Sequence, residues 1–158
     1  MRNLIFAVAA YLLIITSSSL TVWASGNKNN TKASLSGGVA FPSSISFQGA
    51  THQFKLDVQT QPVSELVIKL PYGVSINKGI EVKNQSGKKI DAQIAVNNQT
   101  ATLIFSQPVE PQTTLIVDMR GVNTSLRSHI WLYQVYGKMP NLTTEIPLGT
   151  VRIQTYGR

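Results

Sequence analysis

The 158-residue sequence contains no cysteine. That excludes disulfides, thiolate metal sites, a thiol nucleophile and an acylated lipoprotein cysteine. A fold built from this chain must be held by its apolar core alone. Carboxylates are also scarce, with 7 Asp and Glu against 14 Lys and Arg, for a formal charge of +7. The seven (Asp57, Glu65, Glu81, Asp91, Glu110, Asp118 and Glu145) are isolated along the chain, so no pair suggests a two-carboxylate hydrolase. Histidine occurs twice, at His52 and His129, too far apart in sequence for a metal-binding pair. There is no Gly-x-Ser-x-Gly turn, no acidic calcium loop and no Gly-rich phosphate cradle. No cofactor is expected. After the first 24 residues no apolar run approaches the ~20 residues that a spanning helix needs.

The N-terminus reads as an export signal. Met1-Arg2-Asn3 supplies one positive charge, Leu4–Ile15 is uncharged and apolar, and Thr16–Ala24 is polar and small, ending Val22-Trp23-Ala24. That order fits cleavage before Ser25 and an exported chain in the periplasm, envelope or extracellular space. Retention of residues 1–24 as an anchor is the alternative. Contact with a membrane is otherwise not expected. Residues 25–40 (SGNKNNTKASLSGGVA) offer little apolar surface to offset ordering entropy and read as a flexible tail. Residues 41–158 read as a single domain.

From Phe41 onward the chain alternates in period two, interrupted by turn residues. Strands are expected at 52–59, 64–70, 80–83, 89–96, 99–105, 113–119, 129–137 and 149–156. Phe54, Leu56 and Val58 share one face of the first, while Lys55 and Asp57 share the other. Asn97-Asn98 between two such runs reads as a hairpin turn. Ser106–Gln112 and Met139–Pro147 carry prolines and read as connections. No convincing helix appears. The expected fold is all-β, an antiparallel β-sandwich of about seven to eight strands, immunoglobulin-like in general architecture.

The stretch HIWLYQVYG (129–137) is large and apolar on both faces. Its aromatics could form a stacking surface from Trp131, Tyr133 and Tyr136, with Arg127 in the preceding loop. A buried central strand is the simpler reading of the same residues. The basic charge suggests attraction to anionic polymers. Its lysines are scattered rather than clustered, so solubilising charge is the simpler reading and no nucleic-acid partner is expected. Five Asn-x-Ser/Thr triplets fall mostly at turns and read as turn composition.

The strings FPSSISFQGATHQFKLDV, SELVIKLPYGVSI, ATLIFSQPVEPQTTLIVDM, IWLYQVYGKMP and IPLGTVRIQTY resemble the cyanobacterial exported family known as domain of unknown function 2808. The carrying positions are Pro108, Val109 and Pro111, then Trp131, Leu132 and Val135, then Leu148, Gly149 and Ile153. The resemblance implies export and a β-rich domain, and it brings no catalytic residues. The expectation is therefore a non-enzymatic module that binds a protein or an anionic polysaccharide. A hydrolase or metal-carrying periplasmic protein, with a site assembled only in the fold, is the alternative.

Overall fold

The computed structural model describes residues 32–125 and 129–157. The expected export segment, residues 25–31 of the expected tail and Arg127 lie outside the described residues. The strands are β1 (Ala33–Phe41), β2 (Ala50–Val58), β3 (Val63–Lys69), β4 (Ser75–Ile76), β5 (Ile80–Asn84), β6 (Ala92–Asn97), β7 (Thr100–Val109), β8 (Thr113–Asn123), β9 (His129–Lys138) and β10 (Ile146–Thr155). They form two antiparallel five-stranded sheets. The first has the order β1-β2-β8-β4, with β5 also paired to β8, and the second runs β10-β9-β3-β7-β6. The fold is the expected all-β sandwich, with ten strands among the described residues.

Alternation places the core. Phe54, Leu56 and Val58 of β2 face Leu66 and Ile68 of β3, Leu103 of β7 and Ile153 of β10 in one buried cluster. Fully burying a side chain of this size contributes about 1.5–3 kcal/mol. The Asn97-Asn98 expectation holds: β6 and β7 pair from Asn97 against Thr100, leaving Asn98 and Gln99 as the turn. Asn98 adopts a left-handed φ of 47°, which Asn tolerates better than most residues.

Three expectations are corrected. Residues 33–40 are not tail: Ala33–Phe41 forms β1, and Ala33 and Ala40 are buried against the core. Small residues are what this position needs. β1 has a register break between Ser36 and Val39, and a Cβ on Gly38 would run into the Arg152 carbonyl of β10. The composition that looked disordered lets β1 lie against the neighbouring sheet. Next, the Ser106–Gln112 connection shrinks, because β7 continues to Val109 through an irregularity in its pairing with β3. Pro147 likewise belongs to β10, next to a second break in register. Finally, β9 is buried on one face only. Trp131, Tyr133 and Val135 are in the core, whereas Ile130 and Leu132 are exposed.

The connections define two ends. The β2–β3, β7–β8 and β9–β10 links lie at one end. The β1–β2 loop, the turn after β3, the β6–β7 turn, the end of β8, the start of β9 and the end of β10 lie at the other. Ser44 bridges to Tyr156 there, and Gly49 N–H donates to the Val122 carbonyl.

Candidate functional site

The structure separates the four residues singled out as a binding surface. Trp131 points into the core, and its Nε1–H donates to Thr155 Oγ1 at 3.0 Å. Tyr133 is fully buried, with its phenol oxygen 2.6 Å from His52 Nδ1. Tyr136 faces outward, half-buried, with Lys69 Nζ 4.8 Å from its ring centroid. Arg127 lies outside the described residues. Trp131 and Tyr133 therefore present no stacking face; the same period that made them look like a stripe turns them inward.

The His52–Tyr133 contact is the polar feature of the core. The rings meet edge-on, with centroids 5.8 Å apart at 82°. Burial lowers the His52 pKa from 6.5 to about 4 and raises that of Tyr133, because the charged form of each loses its hydration. His52 Nε2 is buried without a hydrogen-bond partner among the described residues. A neutral imidazole beside a neutral phenol, sealed from solvent, has no access to a substrate. Sequence reading passed over His52, and its place in the inward period of β2 was the available signal.

The carboxylates sit elsewhere. Glu81 of β5 and Asp118 of β8 are cross-strand partners, and Lys83 reaches both, at 3.6 and 3.5 Å. Glu81 also meets Arg120 at 3.5 Å. Asp118 accepts from Gln53 Nε2 at 2.7 Å. Glu65 pairs with Lys138 at 2.9 Å, and Asp57 accepts from Thr114 Oγ1 at 2.6 Å. The Glu81–Asp118 pair is thus bridged by a lysine, while Asp91 and Glu110 line one hollow together with Lys88 and Lys89. Among the described residues no three His, Asp or Glu side chains converge as metal ligands would.

Two surface features remain. The first is the free edge of β6. Among the described residues this strand pairs only with β7, its sequence AQIAVN carries no charge or proline, and Ile94 is 38% exposed. Two other edges are occupied: β10 is packed by β1, and β5 is flanked by the Lys88–Ile90 segment through Ile90 N–H to the Val82 carbonyl. Natural edges usually carry charges, prolines or bulges against unwanted pairing. β6 has none.

The second is a division of character between the two ends. Asp57, Glu65, Asp91, Glu110 and Glu145 lie toward the β2–β3 end, and Glu81 and Asp118 lie mid-sheet. The opposite end has no side-chain carboxylate among the described residues, but it carries Phe41, Phe47, Tyr72, Ile130, Leu132 and Tyr156, all exposed. Tyr156 lines two adjoining hollows, one with Phe41 and Pro42, the other with His129 and Ile130. Leu132 follows on the same face of β9, opposite Arg152 of β10.

Fold and site together describe an antiparallel two-sheet sandwich with an exposed β6 edge and an end rich in exposed apolar side chains. The chain belongs to the family described as protein of unknown function DUF2808, whose model matches residues 28–154. None of the curated proteins matches it. Among solved structures it is similar to the N-terminal domain of the Streptococcus gordonii adhesin Sgo0707, with a TM-score of 0.56 and 16% identity. That match covers 80% of this chain and 33% of the adhesin chain, so this protein spans about a third of that structure. It is also similar to BslA, a bacterial hydrophobin, with a TM-score of 0.53, 13% identity, and coverage of 80% of this chain and 95% of that one. At these identities the likeness is one of fold.

Proposed function

We propose that this protein is an exported, non-enzymatic binding module of the cell envelope or extracellular space, which takes up a protein or anionic polysaccharide partner. The observation that carries the reading is the unprotected β6 edge. Its outward N–H and C=O groups form a ready template for a partner strand, and Ile94 gives that pairing a side-chain contact. Of the residues that could have carried catalysis, Asp57, Glu65, Glu81 and Asp118 are held in ion pairs or hydrogen bonds and His52 is sealed in the core. The apolar segment Leu4–Ile15 supports export. The adhesin and the hydrophobin of similar fold support a surface role as analogy only.

The test is a pull-down from native envelope and culture medium with tagged protein beginning at Ser25, at low and moderate salt. A specific partner retained at both salts supports strand uptake, and acidic polymer released by moderate salt supports the polysaccharide version. Recovery of nothing at either salt overturns the proposal.

A further inference from the structure

The end without side-chain carboxylates among the described residues combines two properties seldom found together on a protein surface. Leu132 is 52% exposed, Phe41 56% and Tyr156 55%, and Ile130 sits between Leu132 and the start of β9. Such a contiguous apolar patch marks an interaction surface. On the same sheet face, Arg152 is the cross-strand partner of Leu132, and Lys69 is the partner of Gln134, two residues along β9. Both cations are exposed, and neither meets a carboxylate among the described residues.

We infer that this end is a docking surface for an anionic lipid leaflet, with Phe41, Ile130, Leu132 and Tyr156 entering the boundary between headgroups and acyl chains while Lys69 and Arg152 hold lipid phosphates. Aliphatic and aromatic side chains beside unpaired cations are the composition that binds an anionic interface, and tyrosine is favoured at that depth. Charge argues against the other occupants. A second copy docked end to end would bring Lys69 and Arg152 against their own kind with no carboxylate to receive them. A polysaccharide would suit the cations and the rings of Phe41 and Tyr156, but the exposed aliphatic side chains of Ile130 and Leu132 beside them match acyl chains rather than a sugar. The inference extends the proposed binding role, since a sandwich docked by this end keeps the β6 edge free along its side. It also revises the expectation that the export segment alone contacts a membrane.

All ten strands lie within Ala33–Thr155, so protein beginning at Ser25 keeps the whole core and lacks the apolar leader. It is sedimented with vesicles of phosphatidylcholine and phosphatidylglycerol, and with vesicles of phosphatidylcholine alone. Binding is expected to the anionic vesicles and to weaken with salt. Ile130→Gln with Leu132→Gln should weaken it about tenfold or more. Lys69→Gln with Arg152→Gln should remove most of the salt dependence, and this pair keeps the test open if the first variant fails to fold. Leu142→Gln, at the opposite end, should bind as the parent does. Failure to sediment with anionic vesicles overturns the inference, as does equal loss in Leu142→Gln. So does acidic polysaccharide binding to this end while the vesicles do not. Vesicle failure with an intact pull-down sinks only this inference. Vesicle binding with an empty pull-down sinks only the proposed partner uptake.

Discussion

His52 on β2 and Tyr133 on β9 reach across the interior until Nδ1 and the phenol oxygen stand 2.6 Å apart, tying one sheet to the other through otherwise apolar surroundings. A buried polar pair of this kind is costly to break from one side, because the remaining partner keeps its desolvation penalty. Tyr133→Phe strips His52 of its partner and should destabilise the fold by about 1–3 kcal/mol. His52→Leu with Tyr133→Phe should cost less than the two single changes added together. Urea unfolding of the four proteins measures this, and strict additivity would contradict the account.

The same burial gives stability a pH dependence of definite sign. Folding lowers the His52 pKa from 6.5 to about 4, so the unfolded chain binds this proton more readily than the folded one. The contribution of His52 is therefore undiminished above the unfolded pKa. It falls as pH drops below that value, and its loss is complete below about pH 4. The gap corresponds to about 3 kcal/mol. His52→Leu should remove this part of the slope between about pH 7 and pH 4 in unfolding curves. An unchanged slope would place the acid sensitivity elsewhere.

The seam between β1 and β10 depends on Gly38, where an added Cβ would strike the Arg152 carbonyl backbone. Because backbone cannot turn aside as a side chain can, Gly38→Ala should cost about 1–3 kcal/mol. Ser36→Ala, exposed on the same strand, should cost less than about 0.5 kcal/mol. A chain begun at Phe41 should lose cooperative unfolding or melt well below the parent, because it uncovers the edge of β2 and removes buried Ala33 and Ala40. Thermal melts followed by circular dichroism distinguish these outcomes.

On the open edge, Ile94→Lys places a charge where a partner strand would lie. Its side chain is already 38% exposed, so stability should change by less than about 1 kcal/mol. Partner capture in the pull-down should fall sharply, since an edge lysine opposes strand addition. Capture undiminished in a folded Ile94→Lys protein would move the binding surface away from β6.

Much of the strand pattern was legible because period-two alternation is a local property. Phe54, Leu56 and Val58 share a face in any extended chain, and Asn97-Asn98 marks a turn wherever it stands between two such runs. Errors arose where small residues or proline suggested irregular chain. Gly37-Gly38 looked like tail because glycine disfavours order in isolation, yet the close approach of β10 requires it. Pro108 and Pro147 looked like boundaries, yet pairing irregularities next to them admit proline into strands. The binding surface was less legible still. Trp131 and Tyr133 attracted notice as large aromatics, and no feature of β9 alone says which of its faces the first sheet covers.

The sequence by itself determined the strand-rich character of the chain, most of its turns and the excess of positive charge. These follow from residue types and their spacing over a few positions. Tertiary structure alone decided that His52 and Tyr133 meet, that Lys83 bridges Glu81 and Asp118, that β6 is left with an open edge, and that the carboxylates avoid one end of the sandwich while exposed apolar side chains gather there. Alternation states which side chains share a face. Which face meets the opposite sheet, and which strand ends lie side by side, depend on contacts between residues distant in the chain.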